Sequence, residues 1–160
     1  MKKLTLIFFI CFATLFGCKT SNEIAGNYTY KTECFGVELD GSQTLKAWGN
    51  GRNRFDAIEQ AKKNAVRDVL FKGIIEGKSD CNMKPVIPQV NAQEQHEDYF
   101  NKFFADGGEY KNYVSLKDGI GQKKKDRKPA RESVTHGIVV RVLRAELKQK
   151  IITDGILKIN

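Results

Sequence analysis

The residues that could carry chemistry are few, and their spacing excludes most of it. His96 and His136 are the only two histidines, far apart in sequence, and the chain contains no His-x-x-x-His or Cys-x-x-Cys. A metal centre needs several ligands at set spacings, so neither a metal nor a cofactor is expected. Ser133 stands three positions before His136. Sequence proximity alone does not pair a nucleophile with a base, so the chain is not expected to be an enzyme. Gly49-Asn50-Gly51 lies between strand-like and helix-like sequence. A phosphate-cradling loop would need a third glycine where Arg54 stands, and no lysine-threonine pair of a Walker motif follows. The glycines therefore read as a tight strand-to-helix turn. The strongest charged feature is Lys123-Lys124-Lys125-Asp126-Arg127-Lys128, with Arg131 beyond Pro129. It reads as a solvated loop, with a patch for an anionic glycan or lipid as the alternative.

Cysteine carries the most specific signal. Met1-Lys2-Lys3 precedes an uncharged run from Leu4 to Phe16, the layout of a secretory signal. The run falls short of the roughly 20 apolar residues that a spanning helix needs. At its end, Leu15-Phe16-Gly17-Cys18 resembles the lipobox of bacterial lipoproteins, with an aliphatic residue at −3, a small one at −1 and cysteine at +1. Phe16 departs from the pattern, which usually has a small residue at −2. The resemblance implies that the Cys18 thiol is alkylated by a diacylglycerol, and that cleavage then frees its amino group for another acyl chain. Several acyl chains, at about 0.8 kcal/mol per buried CH₂, anchor a protein far more firmly than one. Lys19, where an aspartate would imply retention in the inner membrane, implies the outer membrane.

Cleavage before Cys18 would remove 17 residues, Lys2 and Lys3 among them, leaving 143 residues and lowering the net charge from +8 to +6. That length suits one domain. The moderate positive charge suits anionic envelope components, and export leaves no nucleic-acid partner in reach. Discarding Cys11 and acylating Cys18 leaves Cys34 and Cys81 in an oxidising compartment, where an even pair commonly bonds. A disulfide between them is the expectation, with two separate buried thiols as the alternative.

The elements that would position these residues can be read from periodicity and turn signals. Residues 19–26 are polar and read as a tether. Tyr28 to Thr32 and Cys34 to Leu39 favour strands, Asp40-Gly41 signals a hairpin turn, and Gln43 to Trp48 returns. Asn53 and Asp56 open a helix on which Ala57, Ile58, Ala61, Ala65, Val66, Val69, Leu70 and Ile74 share one face, with Gly77 as its end. Pro85 and Pro88 limit the segment from Lys78 to Gln89 to a loop. Asn91 and Glu94 suggest a capped second helix to Ala105. Its stripe of Tyr99, Phe100, Phe103 and Phe104 belongs in a core more readily than on a binding ridge. Tyr110 to Leu116 and Ser133 to Leu143 favour strands, separated by polar sequence. A last helix spans Arg144 to Thr153, with Gly155-Ile156 as a Schellman end.

Ala47-Trp48-Gly49-Asn50-Gly51 followed by Ala57, Ala61, Ala65 and Val69 resembles the lipoprotein-20 family and the related amino-terminal domain of a flagellar ring-associated protein. Ile138-Val139-Val140-Arg141-Val142, a short helix and Gly155-Ile156 extend the likeness. It covers residues 43–77 and 134–157, and the segment between departs from it. The resemblance implies a compact domain used as a structural or assembly module, with no catalytic residue to carry over.

The expected architecture is α+β: an antiparallel sheet with a long alanine-striped helix and two shorter helices packed on it. A signal peptide (1–17), a lipidated cysteine with its tether (18–26) and one domain (27–160) complete the organisation. The expected function is a non-enzymatic outer-membrane lipoprotein whose domain binds an envelope protein or itself. An anionic glycan- or lipid-binding module using residues 123–131 is the alternative.

Overall fold

The computed structural model describes residues 30–117, 127–129 and 133–158. The chain enters the sheet as β1 (Glu33–Val37), turns, and returns as β2 (Gln43–Gly51) in antiparallel register. The turn is the one Asp40-Gly41 announces. The Glu38 N–H donates to the Ser42 carbonyl at 2.8 Å, and Gly41 takes a φ of 77°, a conformation that glycine adopts without steric cost. Tyr30 to Thr32, expected in a strand, lie outside one.

Helix α1 (Arg54–Arg67) starts where the sequence places it, the Asn53 side chain accepting from the Asp56 N–H at 3.0 Å. Its end differs. A single π-helical turn (Asp68–Lys72) follows, and Gly73, with a φ of 75°, stops the helix short of Gly77. The wider turn leaves the carbonyls of Val69 and Leu70 free to accept the N–H groups of Val86 (3.0 Å) and Ile87 (2.8 Å). The proline-limited segment is thereby strapped to the helix end. Gly77 instead lies in β3 (Glu76–Gly77), which pairs parallel with β1. A Cβ on Gly77 would stand 2.1 Å from the Cys34 carbonyl oxygen, so only glycine allows this approach.

The expected second helix is broken at His96 into α2 (Ala92–Gln95) and α3 (Glu97–Phe103). Asn91 does not cap it, because its φ of 59° places it in the left-handed region instead of the extended conformation of an N-cap. A 3₁₀ turn (Glu109–Tyr113) takes the first part of the expected strand and leaves only β4 (Val114–Leu116). The three-residue β5 (Arg127–Pro129) lies in sequence read as loop. Then come β6 (Val134–Val142) and α4 (Arg144–Thr153). Its predicted Schellman end is present: Ile156 N–H bonds Ile151 O at 3.1 Å, and Gly155 N–H bonds Ile152 O at 2.9 Å.

The sheet order is β3-β1-β2-β6-β4, with β5 also paired to β6. The α+β class stands, but the parallel β3 makes the sheet mixed instead of antiparallel throughout. A two-residue strand has no alternation that a sequence could display. Along β2, Gln43, Leu45, Ala47 and Gly49 are buried toward α1, while Lys46 and Trp48 are half-buried on the other face. Ala57, Ala61 and Ala65 have no exposed surface; they form the small-residue stripe that lets α1 lie close over β2 and β6. Phe100, Phe103, Phe104 and Tyr110 fill the core beside them.

Candidate functional site

The sheet register builds a cleft at one end of the helical layer. Gln43, the first residue of β2, pairs with Val142, the last of β6, and α4 begins two residues later at Arg144. Across from them runs the turn holding Asp80 and Asn82, fixed by the Cys34–Cys81 disulfide with Cα atoms 6.3 Å apart. Between them lies an open cleft of about 470 Å³ whose walls include Val37, Gln43, Asp80, Asn82, Arg144 and Lys148. Helical spacing of four puts Arg144 and Lys148 on one side of α4.

Two polar groups here are incompletely satisfied. Gln43 has no exposed surface; its Nε2 donates to the Asn82 carbonyl at 3.3 Å, and its Oε1 has no hydrogen-bond partner. Arg144 donates through Nη2 to the Lys84 carbonyl at 2.9 Å, while Nη1 is buried without a partner. Among the described residues no carboxylate forms an ion pair with Arg144. Burial pulls its guanidinium below the usual arginine range. A buried donor or acceptor left unmade costs about 1–3 kcal/mol, more if charged, so each of these groups favours a partner that reaches it. The first turn of α4 adds to the positive field, since its N-cap position is Leu143, which offers no side-chain acceptor to the leading N–H groups.

The opposite face of the sheet is organised differently. Trp48 lies on Gly137, whose Cβ position would be 3.0 Å from the indole. Tyr30 stacks on Trp48 at 4.6 Å between ring centroids, and the Lys46 Nζ stands 4.8 Å from the indole centroid. Beside them Lys117 bonds Glu38, and Arg141 bonds both Asp40 and Ser42. The hydrogen bond from Lys117 holds the Glu38 carboxyl below its usual range, with Thr44 adding to it. These pairs satisfy one another.

Of the residues singled out from sequence, Cys34 and Cys81 are joined as expected. Cys18, Lys123, Lys124, Lys125 and Arg131 lie outside the described residues, while Arg127 and Lys128 belong to β5, opposite His136 and Thr135. His136 is buried in β6 and His96 sits at the break between α2 and α3. Among the described residues no group of three His, Cys, Asp or Glu side chains is placed to hold a metal ion. The glycine turn is a packing device: a Cβ on Gly49 would lie 2.2 Å from the Ala57 carbonyl oxygen, and one on Gly51 2.5 Å from the Ala57 nitrogen. Phe100, Phe103 and Phe104 are core, and Tyr99 is half-buried with its hydroxyl on Asp154. Burial and that carboxylate raise the Tyr99 phenol above its ordinary range.

The cleft residues were missed in the sequence reading, although two signals pointed to them. Gln43 is polar at an inward position of the β2 alternation, in phase with Leu45 and Ala47. Arg144 and Lys148 open a helix that has no capping side chain.

No protein-family model, curated protein or solved structure matches the chain. Among the described residues no helix is long and apolar enough to cross a membrane.

Proposed function

We propose that this chain is a bacterial envelope lipoprotein, anchored to the outer membrane through lipid on Cys18, whose α+β domain is a non-enzymatic binding module. The observation that carries the reading is the Cys34–Cys81 disulfide. Such bonds persist in oxidising compartments and are rare in the cytosol, which agrees with export directed by the apolar run before Cys18. The Leu15-Phe16-Gly17-Cys18 pattern supplies the anchor, and the alanine-striped helix on a sheet supports the assembly-module likeness. The partner is an envelope protein or a second copy of the chain.

A second reading, binding of anionic glycan or lipid through residues 123–131, draws support from the register. β4 and β5 pair with the same edge of β6, Leu116 opposite Val140 and Arg127 opposite His136. Arg127 and Lys128 of the basic segment thus have their backbone on the same sheet edge as β4.

The test of the anchor is metabolic labelling with a fatty acid, followed by detergent-phase partition of the full chain. Cys18→Ser is expected to abolish labelling and move the protein to the aqueous phase. Persistent labelling in the detergent phase would overturn the proposal. Replacing Lys123, Lys124 and Lys125 by Ala should abolish co-sedimentation with anionic vesicles if the second reading holds.

A further inference from the structure

We infer that the cleft between α4 and the disulfide-held turn is a binding site for an α-amino acid headgroup, an ammonium and a carboxylate on one carbon. This goes beyond the protein-binding reading by adding a small-molecule ligand, and it is independent of the Cys18 anchor.

The charge pattern of the cleft selects the ligand. On the α4 side stand donors only: the Arg144 guanidinium with its unpartnered Nη1, the Lys148 ammonium, and the uncapped start of the helix. Such a set suits a carboxylate, which arginine and helix N-terminal amides both recognise. On the side of β2 and the disulfide-held turn stand acceptors: the unpartnered Oε1 of fully buried Gln43 and the carboxylate of Asp80. A simple anion would satisfy the first side and be repelled by Asp80. An amine would satisfy the second side and meet Arg144 and Lys148. A zwitterion satisfies both. Val37, 40 % exposed, offers an apolar wall for the ligand's side chain. A volume of about 470 Å³ lies within the usual range for small-molecule sites and exceeds what an amino acid fills. A ligand group reaching Gln43 Oε1 and Arg144 Nη1 must shift their side chains slightly, because both atoms are buried. Their unmade hydrogen bonds favour that shift.

The site also depends on the disulfide. Asp80 and Asn82 flank Cys81, and Asn82 is the residue that Gln43 holds. Reduction would remove the covalent tie of the turn to β1 and leave that wall held by the Lys78–Cys34 and Gln43–Asn82 hydrogen bonds.

Calorimetric titration of the full chain in detergent micelles tests the inference with four probes: alanine, 2,6-diaminopimelate, propionate and ethylamine. Alanine or diaminopimelate should bind saturably, and propionate and ethylamine at least about tenfold more weakly, since each lacks one charged partner. Diaminopimelate binding better than alanine would identify a headgroup carried on a longer chain, and the reverse a free small amino acid. Lys148→Ala and Asp80→Asn change exposed side chains, so they should lower affinity about tenfold without moving the urea midpoint. Arg144→Gln should abolish binding. Reductant should also weaken it in the parent protein. No saturable binding up to about 10 mM, or equal binding of propionate and alanine, would overturn the assignment. So would parental affinity in both Lys148→Ala and Asp80→Asn. None of these results bears on fatty-acid labelling at Cys18, so the two proposals fail separately.

Discussion

Gly49→Ala should be among the most destabilising single-methyl additions in this domain. The added Cβ would lie 2.2 Å from the Ala57 carbonyl oxygen, 2.3 Å from the Ala61 nitrogen and 2.9 Å from the Ala61 Cα. Ordinary contacts begin near 3.4 Å, so the first is more than an ångström too close. Every obstructing atom is helix backbone, and no rotamer change relieves the clash. α1 must lift from the sheet, which loosens Ala57, Ala61 and Ala65 together, all without exposed surface. Overpacking of this kind costs about 3 kcal/mol, set against about 0.4–1 kcal/mol gained by restricting the unfolded chain. Gly137→Ala is the control. Its three nearest atoms all belong to the Trp48 ring, at 3.0–3.1 Å, so side-chain movement of Trp48 and the stacked Tyr30, with no backbone shift, relieves the contact. It should cost about 1 kcal/mol or less. Urea unfolding of both variants at constant m gives the comparison, with an expected net loss for Gly49→Ala of about 2–3 kcal/mol, roughly a 1 M shift in midpoint. If the two variants unfold at the same midpoint, helix–sheet contact is not what the glycine turn provides.

Two further outcomes follow from bonds already described. Reducing the disulfide, which closes a loop between residues separated by 47 positions, should lower stability by about 4 kcal/mol in the chain-entropy model. Unfolding with and without reductant measures this, and an unchanged midpoint would refute it. Glu59 offers a pH test. Burial pushes its carboxyl up, but hydrogen bonds from Lys62 and Tyr110, with the charges of Lys62 and Lys111, outweigh this and hold it below the ordinary 4.5. A lowered folded value favours the folded state above about pH 4.5, and that contribution fades as pH falls through the folded value. The midpoint gap between the parent and Glu59→Gln, about 1 kcal/mol at neutral pH, should therefore close on acidification. A gap that widens toward low pH would contradict this.

Local signals in the sequence were legible where one interaction decides the structure. Asn53 caps α1, Asp40-Gly41 turns the first hairpin, and Gly155-Ile156 ends α4, each through bonds between near neighbours. The alanine stripe showed which face of α1 would be buried. What the sequence hid depends on distant residues. The π turn that stops α1 at Gly73 is tied to Val86 and Ile87, and β3 exists because Gly77 can approach Cys34. The cleft was hidden for the same reason: Gln43, Asp80 and Arg144 become neighbours only through strand register and a disulfide.

The edges of the sheet bear on how the molecule would behave if tethered as proposed. On one side β3 offers two residues, and on the other β4 and β5 offer three each, separated by the chain from 117 to 126. Among the described residues the nine-residue β6 therefore meets no outer strand of its own length. Lipid anchoring confines molecules to a plane and raises their local concentration, the condition under which long bare strands recruit one another into aggregates. Short border strands deny a neighbouring copy such a template.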